Sequence, residues 1–66
     1  MYNKYVALRD KKGVTDYQVA MATGINKSTF SDWKNERSAP KIEKLAKIAT
    51  YFCVPLEYFL DERGDN

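Results

Sequence analysis

Histidine is absent from these 66 residues, and cysteine occurs once, as Cys53. Without His there is no ordinary zinc ligand set and no Cys-His nucleophile pair, and a lone thiol cannot close an internal disulfide. These absences weigh against an enzyme, and no metal or cofactor is expected. No apolar run approaches the roughly 20 residues of a membrane-spanning helix. The opening Met1-Tyr2-Asn3-Lys4 lacks the apolar core of a signal peptide. A cytoplasmic protein in a reducing compartment is the expectation. Internal repeats, linkers and low-complexity tracts are also missing.

What is present points to a small folded domain. Hydrophobic residues make up 44% of the chain and nine residues are aromatic, which argues for a core and against disorder. A chain of this size buries only about 60% of its unfolded surface, so its stability is marginal. The whole of 1–66 is expected to form one domain. Net charge is +2, but unevenly placed. Residues 1–47 carry ten Lys and Arg against five acids, net +5, whereas residues 48–66 carry one Arg against four acids, net −3. A basic body with an acidic end suits a polyanion on one side; a solvated mixed-charge surface is the plainer reading.

Five helices and no strand are expected. Tyr5, Leu8 and either Met1 or Tyr2 recur at helical spacing, and Gly13 follows Lys11-Lys12 as a C-terminal cap, which predicts helix one over about 2–12. Thr15 with Gln18 forms a capping box that starts helix two at about Asp16. Asn26 caps helix three, which runs to about Asn35. The segment 36–40 ends in Pro40 and breaks the pattern. Ile42, Leu45, Ile48, Ala49 and Phe52 then form the apolar stripe of helix four. Pro55 stands in the first turn of a short helix five, from Leu56 to about Asp61, with Leu56, Phe59 and Leu60 folding inward. The tail, about 62–66, is expected to fray.

Between 16 and 35 the apolar and small residues fall where two helices can cross on a tight turn. Val19, Ala20, Ile25, Phe30 and Trp33 face inward, and Gly24 sits at the turn, where a positive φ is usually needed. The outward residues of helix three are Asn26, Lys27, Ser28, Ser31, Asp32 and Asn35. That face is polar and rich in hydrogen-bonding groups, as a helix entering a major groove requires.

From Leu8 to Leu60 the chain resembles the lambda-repressor-like helix-turn-helix domains, the Cro and xenobiotic-response-element type of phage repressors and bacterial regulators. The phrases that carry the resemblance are Leu8-Arg9, Gly13-Val14-Thr15, Val19-Ala20, the run from Gly24 to Asn35, Pro40, Leu45-Ala46-Lys47-Ile48-Ala49 and Tyr58-Phe59-Leu60. The resemblance implies an all-α, compact five-helix DNA-binding domain whose third helix lies in the major groove, commonly as a dimer on a two-fold operator. By position it places base reading on Lys27, Ser28 and Asp32, and backbone contacts on Tyr17, Asn26, Asn35 and Arg37. Three departures accompany it. Asp16 stands where many relatives have Gln and would repel a phosphate unless it supports the amino end of helix two. Lys34 stands where some relatives place a glutamate that pairs the helix-one arginine, so Arg9 needs another partner or faces DNA. Glu36 replaces the usual glycine after helix three, and a different helix end is expected there.

The remaining residues have plainer roles. Lys41, Lys44 and Lys47 are read as solubility charges on helix four, and Cys53 as a cap or packing residue. Tyr2, Tyr5, Tyr51 and Tyr58 exceed what one small core holds, which suggests a homodimer through Tyr51, Val54, Tyr58 and Leu60. Two functions follow from this reading. One is a transcriptional regulator, a repressor, that reads an operator with helix three. The other is a protein-interaction module, an antitoxin or accessory subunit, that uses the fold with weak DNA binding or none. The chain could also be the DNA-binding part of a longer protein with a sensor domain.

Overall fold

The computed structural model describes residues 1–60. Five helices follow one another, and no strand occurs among the described residues: α1 Tyr2–Lys12, α2 Asp16–Thr23, α3 Lys27–Lys34, α4 Ile42–Tyr51 and α5 Glu57–Leu60. The first four agree with the sequence expectation. Helix five begins one residue later than expected, with Leu56 preceding it as a turn, and its expected end at about Asp61 lies, with the tail, outside the described residues. The Pro55 carbonyl accepts the Tyr58 N–H at 3.0 Å, which sets the entry into α5.

The starts of α2 and α3 are fixed by side chains. Thr15 is extended, its hydroxyl accepts the Gln18 N–H at 3.1 Å, and the Gln18 amide oxygen accepts the Thr15 N–H at 2.9 Å. This is the reciprocal pairing of a capping box. At the head of α3 the Asn26 amide oxygen accepts the Ser28 N–H at 2.9 Å.

Three helices end in one geometry. After α1, Gly13 turns left-handed at φ 73, donating to Asp10, while Val14 donates to the Arg9 carbonyl. After α3 the left-handed residue is Glu36 at φ 61, with Glu36 N–H to Trp33 and Arg37 N–H to Asp32. After α4 it is Cys53 at φ 60, with Cys53 N–H to Thr50 and Val54 N–H to Ala49. All three are Schellman closures, which satisfy carbonyls that a helix end leaves open. Glu36 therefore ends α3 as a glycine would, contrary to the expectation of a different end. Cys53 is exposed and acts as a cap, not as a packing residue.

The core comprises Tyr5, Val19, Ala20, Ile25, Phe30, Trp33, Leu45, Ile48, Ala49 and Phe59. All five residues expected to face inward from the 16–35 unit are among them. α2 packs on both α3 and α4, and α5 closes the molecule against α1 and α4. Two apolar expectations fail. Leu60, expected to fold inward, is 47% exposed, and Ile42, the first residue of the α4 stripe, is 57% exposed. Both lie at helix ends, where the packed neighbour stops before the stripe does.

Tyr5 is fully buried and holds the aromatic centre. Its ring stacks on Phe30 at 5.2 Å and on Trp33 at 5.3 Å, both at 29°. Tyr2 meets Trp33 edge-on at 5.5 Å, and Phe52 meets Tyr5 edge-on at 6.1 Å. The tyrosines surplus to the core thus reduce to three, since Tyr2, Tyr51 and Tyr58 are only partly buried against it.

Candidate nucleic-acid interface

α3 presents one face to the core and one to solvent. Phe30 and Trp33 anchor it, and Lys27, Ser28 and Ser31 on the other side are exposed. Asn26 and Asn35 bracket the helix, and both are exposed. The apolar spacing of three between Phe30 and Trp33 leaves the intervening positions free of packing duties. Those positions carry the hydrogen-bonding side chains.

Several candidate residues are already engaged with one another. The Ser28 hydroxyl donates to the Asn26 amide oxygen at 3.0 Å, so in this arrangement it offers lone pairs more readily than a proton. Asp32 is half-buried, and its carboxylate lies 3.6 Å from the Arg37 guanidinium. Its carbonyl accepts the Arg37 N–H at 2.8 Å, so Asp32 holds both the backbone and the side chain of Arg37. Lys27 has no ion-pair partner among the described residues. Tyr17 is 58% exposed at the first turn of α2.

Asp16 and Arg9 solve each other's problem. The Asp16 carboxylate accepts from Arg9 at 3.1 Å and from the Tyr5 hydroxyl at 2.5 Å. A second carboxylate, Asp10, lies 3.2 Å from the same guanidinium. Asp16 also stands in the first turn of α2, where the helix dipole favours a negative charge. Burial, together with donation to Asp16, pushes the Tyr5 phenol far above the usual tyrosine range. Hydrogen bonding to Asp16 raises the Arg9 guanidinium further still, against the opposing effect of burial. The open alternatives for Arg9 close on the first: it has another partner.

Sequence reasoning missed two supporting residues. Tyr5 shares the helical spacing of α1 but also counts among the tyrosines surplus to a small core, and nothing in the spacing signals that its hydroxyl reaches α2. Lys4 is buried, its ammonium donating to the Tyr58 carbonyl at 3.0 Å and lying 5.4 Å from the Tyr58 ring. Nothing in the spacing marks a lysine as the tie between α1 and α5. For Asp16 a signal did exist, because an acid without a phosphate and an arginine without a glutamate stood on adjoining helices.

Residues 7–59 match the helix-turn-helix family. The chain belongs to that family. It is the lambda-repressor-like kind, whose members are DNA-binding regulators. No curated protein and no solved structure matches the chain. Among the described residues no helix is long and apolar enough to cross a membrane.

Proposed function

We propose that this helix-turn-helix protein is a sequence-specific transcriptional repressor of phage or bacterial type, with residues 1–66 as one DNA-binding domain. The observation that carries the reading is the exposed polar face of α3, backed by a buried aromatic pair and free of packing obligations. Lys27 donates to guanine O6 and N7, Ser28 accepts from a base amino group, and Asp32 accepts from a cytosine amino group. Tyr17, Asn26, Asn35 and Arg37 grip the phosphate backbone. The Asn26 amide nitrogen suits that task, since only its oxygen is spent on the cap.

Arg9 matches the charge of Asp16, so that acid gives no argument for the protein-interaction reading. Two copies pair through Tyr51, Val54, Tyr58 and Leu60, the last of which adds apolar surface at the end of α5. Such pairing sets two recognition helices about 34 Å apart on a palindromic site.

Selection of binding sites from random duplex DNA, followed by titration against salt, tests the reading. A palindromic consensus and a steep log-linear loss of affinity with salt support it. Affinity that is indifferent to salt, or selection without a consensus, overturns it. Sedimentation of Leu60→Glu against the parent tests the pairing: two identical monomers would remove it.

A further inference from the structure

α2 and α4 part at their C-terminal halves over a hollow of about 370 Å³, lined by Ala22, Thr23, Ala46, Lys47, Thr50 and Tyr51. Small side chains on both helices leave this space, so its floor is methyl groups and its far wall an aromatic ring. The rim is basic. The Lys12 ammonium lies 5.2 Å from the Tyr51 ring, and Lys47 sits one turn before Tyr51 on α4. Neither lysine has a carboxylate within ion-pair distance among the described residues, Glu43 one turn before Lys47 included. None of the lining residues belongs to α3 or to the proposed DNA contacts.

We propose that this hollow docks an acidic amphipathic segment of a partner protein. One leucine or aromatic side chain of the partner fills the space between Ala22, Ala46 and Thr50. Carboxylates on either side of it pair with Lys12 and Lys47, whose ammoniums have no ion-pair partner among the described residues. Such a segment matches both properties of the site, as apolar anchors within a charged rim do at grooves that hold a helix. A phosphate backbone matches only the charge of the rim and leaves the apolar surface of Ala22, Ala46 and the Tyr51 ring without a partner. Tyr51 also belongs to the apolar set proposed for pairing two copies, so the test separates these occupants.

The full chain is used to select from a displayed library of random 15-residue peptides, and the enriched peptides are synthesised. The enriched sequences are expected to carry Leu, Phe or Trp beside Asp or Glu. Lys47→Glu should weaken them by at least about tenfold through like-charge repulsion at the rim, and Thr50→Tyr should do so by filling the hollow. Both positions are exposed, so the fold should tolerate the changes. Thr50→Tyr, which leaves the charge unchanged, should alter neither duplex affinity nor sedimentation. The proposal is overturned by an absence of acidic consensus, or by peptide affinity that both variants leave intact. A change in duplex affinity for Thr50→Tyr assigns the hollow to DNA instead, and a change in its sedimentation that Leu60→Glu does not share assigns it to a second copy.

Discussion

On the inner face of α3, Phe30 and Trp33 meet the Tyr5 ring in two offset stacks, and Tyr2 closes on Trp33 from the edge. On the outer face, Lys27 has no ion-pair partner among the described residues, Ser28 is held only by its own cap, and Asp32 holds an exposed arginine at 3.6 Å. Each aromatic pair contributes about 0.5–1.5 kcal/mol beyond the area it buries. An exposed ion pair contributes about 0–1 kcal/mol. One face therefore carries the stability of the helix and the other carries almost none, which leaves the outer side chains free to exchange their weak internal partners for those of a duplex. A recognition helix only eight residues long needs this division, since a helix under about 12 residues is marginal without tertiary packing.

The largest break in this comparison is Trp33→Ala. Deleting a buried large aromatic typically destabilises by about 3–5 kcal/mol, close to the whole stability of a small domain at about 5 kcal/mol. Ser31→Ala, on the other face, should stay within about 0.5 kcal/mol. Urea melts of both proteins check the pair. A Trp33→Ala protein that unfolds with the parent would remove the inner face as the source of stability.

The Tyr5–Asp16–Arg9 cluster extends the inner face to the head of α2. Asp16→Ala leaves a buried phenol without its acceptor and Arg9 with only Asp10, at a cost of about 1–3 kcal/mol. The Tyr5 value is raised in the folded protein, so the sign of its pH dependence is fixed. Below the unfolded tyrosine value near 10 both states keep the proton, and this stabilisation is fully present. Above about pH 10 the unfolded chain loses the proton while the folded one keeps it, so stability falls by up to about 1.4 kcal/mol per pH unit. In Tyr5→Phe that loss should be one proton shallower between pH 10 and 11. Equal slopes in the two proteins would show that the phenol ionises as readily folded as unfolded.

On the outer face the effect falls on binding, with no change in melting. Lys27→Ala should cost about 1–3 kcal/mol at the selected site and relax preference there. Arg37→Ala should weaken all duplexes alike and shallow the salt slope by about one phosphate. Competition assays with the selected and shuffled duplexes separate the two. If Lys27→Ala leaves the preference intact, the outer face of α3 is not where sequence is read.

Most of the inner face was legible in the sequence. Val19, Ala20, Ile25, Phe30 and Trp33 declare themselves by helical spacing, and Thr15, Gln18 and Asn26 by their relation to the helix starts. Those signals are local, within one or two turns. The buried hydroxyl of Tyr5 was not legible, because it depends on how α1 crosses α2 and not on spacing along either. The same holds for Lys4, whose ammonium reaches a carbonyl 54 residues away. Leu60 and Ile42 misled because periodicity reports which side of a helix is apolar and not how far along it the neighbour extends. On the outer face the residue types were legible, but their mutual pairing, Ser28 with Asn26 and Asp32 with Arg37, was not.

The two faces of α3 end together at Glu36, and a small predicted gain in stability sits there. A non-glycine residue in the left-handed region costs about 1–2 kcal/mol from its Cβ. The closing bonds from Glu36 to Trp33 and from Arg37 to Asp32 hold it in place. Glu36→Gly removes the Cβ but adds freedom to the unfolded chain, worth about 0.4–1 kcal/mol in the other direction. The expected net gain is about 0.5–1 kcal/mol, read by urea melts with matched slopes. Glu36→Ala keeps the Cβ while deleting the carboxylate, and it should gain nothing. Gly13→Ala supplies the converse at the end of α1: a Cβ there meets nothing within 4 Å, so any loss comes from the backbone at φ 73 alone. If Glu36→Ala stabilises as much as Glu36→Gly, the carboxylate limits this helix end and not the backbone, and the likeness drawn between Glu36 and the glycine cap of α1 fails.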